Sequence, residues 1–128
     1  MIKRLDSILL NSENAKKLAD FYEKKVGLKA TEVYEMGDDG EEAYMYEFEA
    51  GSGFSILDHS KVKGKSKNPE RFIINLEVDD IDKEAEKVKK NGVKVIQEKY
   101  HVEGYGWIVT FEDLDGNYFQ FVQIRENK

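Results

Sequence analysis

The feature that most constrains this chain is that its second half restates its first. A displacement of 65 residues carries Gly27 onto Gly92, Gly51 onto Gly116, Phe54 onto Phe119, Ser55 onto Gln120 and Ile56 onto Phe121. A displacement of 66 carries Ile8 onto Ile74, Leu10 onto Leu76, Ala15 onto Ile81, Ala19 onto Ala85 and Tyr22 onto Val88. One residue of slack at the end of the first helix reconciles the two. Self-similarity of this kind implies two copies of one supersecondary unit, so a fold must be sought for the unit before the whole.

Periodicity supplies that unit. Ala15, Leu18, Ala19, Tyr22 and Val26 fall on one helical face within residues 13–26, with Asn11 or Ser12 as cap and Gly27 as left-handed stop. Ile81, Ala85 and Val88 do the same within 81–91, capped by Asp79 or Asp80 and ended by Gly92. Residues 3–10, 30–36, 43–49, 53–58, 71–78, 93–100, 107–112 and 117–124 alternate as strands. Turn chemistry separates them at Gly37-Asp38-Asp39-Gly40, Gly51-Ser52-Gly53 and Asp115-Gly116-Asn117. The expected fold is α+β: two tandem βαβββ modules forming a curved mixed sheet with helices on the outer face. Module 1 spans about 1–58, a Lys- and Ser-rich linker 59–69, and module 2 about 70–125, within a single domain of 128 residues. A sheet covered on one face only must do something with the other. Two such sheets, side by side, predict a trough lined by the bare faces.

Composition narrows the function. With 20 Lys and Arg against 26 Asp and Glu the net charge is −6, a poor match to nucleic acid. The longest apolar run covers only residues 43–46, against the roughly 20 that a membrane helix needs. Met1-Ile2-Lys3-Arg4 leads straight into strand-like sequence with no apolar segment behind it. Cysteine is absent, which removes disulfides, thiolate metal sites and a Cys nucleophile. These features predict a cytoplasmic domain with no nucleic-acid or membrane partner.

Three local motifs carry a family resemblance. Phe21-Tyr22-Glu23-Lys24-Lys25-Val26-Gly27-Leu28 resembles an FYxxxLGL helix end, and Leu76-Glu77-Val78-Asp79-Asp80-Ile81-Asp82 resembles an FxVDDID strand-to-helix entry. Phe111-Glu112-Asp113-Leu114-Asp115-Gly116-Asn117-Tyr118 resembles FxDPDGN, with Leu114 where proline usually sits. In that order they are similar to the vicinal oxygen chelate superfamily of glyoxalase I, extradiol dioxygenases, fosfomycin-resistance transferases and bleomycin-binding proteins. The resemblance implies a divalent cation held at four trough positions, and it implies modules paired across two chains. By motif those positions are Ser7, Ser55, Ile73 and Gln120. Serine hydroxyls are poor ligands, Ile73 offers none and Gln120 offers one carbonyl oxygen, whereas such a cation wants several carboxylates or imidazoles. His59, at a strand end, and His101, in a connection near Glu98 and Glu103, remain as material for an unorthodox metal site.

Alternation assigns Leu5, Ser7 and Leu9, then Ile73, Asn75 and Glu77, then Tyr118, Gln120 and Val122 to the trough. Ile8, Leu10, Phe72, Ile74, Leu76, Phe119 and Phe121 face the helices. Tyr46, Tyr105, Trp107 and Tyr118 supply candidate rings. The expected ligand-binding set is therefore Ser7, Ser55, Asn75, Glu77, Trp107, Tyr118 and Gln120, apolar walls with a few polar groups. Glu77 in an acidic molecule favours a neutral or cationic ligand. The leading expectation is a metal-free, cofactor-free, homodimeric protein that binds a small organic ligand. The alternatives are a lyase or dioxygenase-like enzyme of the superfamily with an atypical site, and a non-catalytic interaction module.

Overall fold

Each half of the chain folds as βαβββ. The structure, a computed structural model, describes residues 1–36 and 39–124, so Gly37 and Asp38 of the expected glycine-aspartate turn lie outside the described residues. The first half contains β1 (Ile8–Ser12), α1 (Ala15–Phe21), β2 (Glu32–Met36), β3 (Glu41–Glu47) and β4 (Gly53–Asp58). The second contains β5 (Ile73–Glu77), α2 (Ile81–Lys90), β6 (Val95–Val102), β7 (Gly106–Glu112) and β8 (Tyr118–Ile124). The strands form two four-stranded sheets, ordered β1-β4-β3-β2 and β5-β8-β7-β6. In each, the first strand lies parallel to the last and the other pairs are antiparallel, so both sheets are mixed.

The two units meet between Gly64 and Lys65, within the Lys-rich segment. Each side of that junction is tied to its own unit. The Gly64 N–H donates to the Glu13 carboxylate at 2.8 Å, and the Ser66 N–H donates to the Asp115 carbonyl at 2.8 Å.

Apolar periodicity places the helices. Ala15, Leu18 and Ala19 of α1, continued by Tyr22 and Val26, are buried, as are Ile81, Ala85 and Val88 of α2. α1 packs on β1, β3 and β4, and α2 on β7 and β8. Under α1 lie Tyr44, Tyr46, Phe54 and Ile56; in the second unit Val109, Phe111, Phe119 and Phe121 occupy the corresponding face. Phe119 and Phe121 are fully buried as expected, but Phe72 is 58% exposed. It follows a single 3-10 turn, Pro69–Arg71, and precedes β5 rather than belonging to it.

Two local expectations are corrected. β1 starts at Ile8 instead of residue 3, because its one sheet neighbour, β4, begins at Gly53 and offers no partner further back. β1 then runs on through Ser12, so Asn14, rather than Asn11 or Ser12, caps α1. Its side chain accepts from the Lys17 N–H at 3.1 Å. The second helix is capped by Asp80, one of the two residues expected.

The turn before β8 is built from its sequence. Asp113, 4% exposed, accepts the N–H groups of Asp115 and Asn117, both at 2.9 Å, and its second oxygen takes the Asn117 amide. Gly116 has φ +77, and a Cβ there would come within 3.1 Å of Lys65 Cβ. That network, rather than a proline, fixes the motif, which is why Leu114 is tolerated.

Candidate functional site

Sheet register determines which side chains meet on the face of the second sheet away from α2. Ile73 pairs with Tyr118, Asn75 with Gln120 and Glu77 with Val122. On the other flank of β8, Thr110 pairs with Gln120 and Ile108 with Val122. Gln97 of β6 pairs with Thr110. A cavity of about 420 Å3 opens on this face, lined by Glu70, Ile73, Ile96, Gln97, Tyr100, Thr110, Tyr118 and Gln120.

Its fixed polar contact is a hydrogen bond from Gln120 Nε2 to Thr110 Oγ1 at 2.8 Å. Thr110 is 4% exposed, so this bond sits where water competes poorly and holds the amide in one orientation. Ile73 and Ile96 supply apolar wall, and Tyr100 and Tyr118 supply rings. Burial first, then the carboxylates of Glu70 and Glu112, push the Tyr118 phenol above its ordinary value. The phenol therefore stays protonated at physiological pH and can donate. The chemistry available is orientation of a bound molecule by amide, hydroxyl and phenol, with one carboxylate at the wall.

The seven residues expected to bind ligand fall in three places. Tyr118 and Gln120 line this cavity, while Asn75 and Glu77 share its face further along β5, exposed and outside its lining. Ser7 and Ser55 line a separate cavity of about 290 Å3 in the first unit. That cavity is built mostly from the Gly51-Ser52-Gly53 turn and its flanks, with an exposed Arg4–Asp6 pair at 3.1 Å that contributes little. Trp107 lies elsewhere. It alternates with Val109 and Phe111 and so points to the α2 side, where the His101 ring centroid is 4.7 Å away and Lys99 Nζ is 4.9 Å from its ring. Among the other rings, Tyr46 lies under α1 stacked on Phe54, with centroids 4.6 Å apart.

Glu70, Ile96, Gln97, Tyr100 and Thr110 escaped the reading of the sequence. Thr110 was within reach, since it opposes Gln120 once the hairpin register is known. Gln97 and Tyr100 were not, because register shifts between Val95 and Gln97 and again between Gln97 and Tyr100 break the alternation of β6.

The four positions implied to hold a cation do not fit one. Ile73 has no donor, Ser7 and Ser55 have neutral hydroxyls, and the Gln120 amide is bonded to Thr110. Nor do the histidines replace them. The Lys61 N–H donates to His59 Nδ1 at 3.2 Å, and both oxygens of neighbouring Asp58 accept backbone amides, from Ala15 at 2.7 Å and Glu42 at 2.9 Å. Among the described residues no group of three His, Asp or Glu is placed to hold a metal ion.

Each βαβββ unit leaves one sheet face uncovered by its helix, and the family model agrees with that fold. Residues 4–121 match the Glyoxalase/Bleomycin resistance protein/Dioxygenase superfamily, and the chain belongs to it. In sequence it is 29% identical over 119 residues to the uncharacterized protein YetH of Bacillus subtilis, covering 93% of this chain and 97% of that one. Two solved structures share the fold. An antibiotic-binding protein, TnmS3, from Streptomyces sp. CB03234 superposes with TM-score 0.74 at 20% identity, covering 97% of this chain and 98% of that one. The FosX fosfomycin resistance protein of Listeria monocytogenes, as an E126Q mutant with Mn(II) and a dihydroxypropylphosphonic acid, gives TM-score 0.66 at 19% identity, covering 98% and 93%. No helix of the described residues is long and apolar enough to cross a membrane.

Proposed function

We propose that this protein is a metal-free, non-catalytic binder of a small organic molecule, held on the open face of the second sheet. The observation that carries the reading is the cavity at Gln120: apolar walls, two rings and a fixed amide-hydroxyl pair, at a position where the superfamily's metalloenzymes would need a ligand. Metal-assisted lyase chemistry needs about three or four protein donors with a site left open, plus a base for the substrate proton. Ser7, Ser55, Ile73 and Gln120 offer one amide oxygen between them. The likeness to an antibiotic-binding protein supports the same reading, since that protein's described role is binding.

We further propose a cytoplasmic homodimer. Val33 and Tyr34, 52% and 46% exposed on the edge strand β2, and Leu9, 56% exposed on β1, favour burial against a second copy.

One preparation tests both. Elemental analysis should find no stoichiometric divalent metal, and added Zn, Ni, Co or Mn should confer no glyoxalase activity. Near one metal per chain, lost on mutating Gln120 or His59, would instead establish an enzyme-like centre. Sedimentation at tens of micromolar should give a dimer; monomer alone would rule the assembly out.

A further inference from the structure

The geometry points to an organic cation bearing N–H groups, an amine or guanidinium on an apolar body, as the ligand of the Gln120 cavity; this rests on the binding role proposed above. Three independent features of the lining agree. No Lys, Arg or His contributes to it, and its one charged residue is Glu70, on the 3-10 turn before β5. An anionic ligand would therefore meet a carboxylate with no countercharge, at a cost that grows as water leaves.

The amides also keep acceptors free. Gln120 Nε2 is committed to Thr110 at 2.8 Å, which fixes the side on which Oε1 lies. That oxygen receives no protein donor among the described residues. Gln97 Nε2 turns, more weakly, toward the Glu98 carbonyl at 3.4 Å. Each amide thus keeps a carbonyl oxygen for a ligand that brings donors, with one N–H beside it.

The third feature is the pair of rings. Tyr100, 38% exposed, and Tyr118 both line the cavity, where an aromatic π system attracts a cation, and Tyr118 lies close enough to Glu70 and Glu112 for both carboxylates to act on its phenol. Ile73 and Ile96 then accommodate the apolar body. Glu77, the carboxylate singled out in the sequence, lies outside this cavity; Glu70 takes the role expected of it.

Matched probes decide the matter. Phenethylammonium, 2-phenylethanol and phenylacetate share a body and differ in charge, and each can be titrated at pH 7 while the backbone amide NMR signals of Ile73, Gln97, Thr110, Tyr118 and Gln120 are followed. Phenethylammonium should bind about tenfold more tightly than the alcohol, the range expected for one partly desolvated cation-π and carboxylate contact. Phenylacetate should not perturb these signals. In Glu70→Gln, checked for an unchanged melting temperature, the ammonium and alcohol affinities should converge. Equal binding of alcohol or acetate at these residues, or an undiminished preference in Glu70→Gln, overturns the cation assignment while the cavity remains a binding site. Failure of all three probes to move these signals overturns the cavity reading, and the cation assignment with it.

Discussion

The two halves of this molecule solve the same packing problem with different chain lengths. From Tyr22 to the stop at Gly27 is five residues, and from Val88 to the stop at Gly92 is four. The first half absorbs its extra residue in a π-helical turn, Tyr22–Val26, where the Gly27 and Leu28 N–H groups both reach the Tyr22 carbonyl. The second stays α-helical, and the Val93 N–H reaches Val88 at 3.3 Å. After the turn the halves fall back in step except along β6, where the two register shifts displace its pairing with β7. Ala43 pairs with Leu57 as Ile108 pairs with Val122, and Glu32 with Met45 as Gln97 with Thr110. Helix-side chemistry matches as well: Tyr46 stacks on Phe54 where Phe111 stacks on Phe119. The open faces do not match. Opposite one another stand Met45 and Ser55 in the first half, but Thr110 and Gln120 in the second. Packing against a helix constrains residue type, while a bare face is free to specialise. In the second half Gln120 and Thr110 do so as a hydrogen-bonded pair across β7 and β8.

If that division is right, the largest losses come from the helix side of either half. Phe119→Ala and Phe121→Ala should each cost about 3–5 kcal/mol in chemical denaturation, and Phe54→Ala should fall in the same range. Gln120→Ala, on the other face of the same strand, should cost about 1 kcal/mol for one neutral hydrogen bond. Equal costs along β8 would break the two-face description outright.

A smaller effect separates the halves at their helix starts. Asp58 accepts the Ala15 N–H at 2.7 Å and the Glu42 N–H at 2.9 Å, bracing α1 and β3 together. The counterpart in the second half, Gln123, accepts only the Ile81 N–H of α2, at 2.8 Å, with its carbonyl oxygen. Asp58→Ala should cost about 2–3 kcal/mol and Gln123→Ala about 1 kcal/mol, because charged acceptors make the stronger bonds. Thermal melts of the two variants check the order, and a reversed order would show that the second brace matters more than its bond count implies.

The same contrast explains what the sequence could reveal. Helix faces and helix-packed strands carry apolar spacing strong enough to read directly, so Phe119, Phe121 and the faces of both helices were legible. The slack of one residue was visible too, though not that a π turn would absorb it. The site was legible only where a strand keeps strict alternation, as β8 does at Tyr118 and Gln120. Trp107 obeys alternation within β7, and the hairpin register puts it on the α2 side, but a list of candidate rings carries no register. Glu70 and Tyr100 depend on a short turn and a bulged strand, and neither leaves a periodic trace.

The finest test exchanges one half's solution for the other's. The Tyr46 hydroxyl is buried with no hydrogen-bond partner among the described residues, and Phe111 occupies the equivalent place without a hydroxyl. An unsatisfied buried hydroxyl forfeits its hydration, so Tyr46→Phe should be neutral or stabilising by up to about 1 kcal/mol at pH 7. Burial, and after it Glu23, pushes the Tyr46 phenol well above its ordinary value of 10.0. The unfolded chain would ionise this phenol near that value while the folded chain does not, so stability must fall as pH rises above about 10. Tyr44, pushed up to about 12 by burial and its bond to the Glu42 carboxylate, adds a second loss between pH 10 and 12. Tyr46→Phe removes the first loss and leaves the second. Its advantage over the parent protein should therefore widen when urea unfolding is repeated at pH 7, 10 and 11. Destabilisation by more than about 1 kcal/mol at pH 7 would mean that the hydroxyl makes a bond after all, and that the two stacks are not interchangeable.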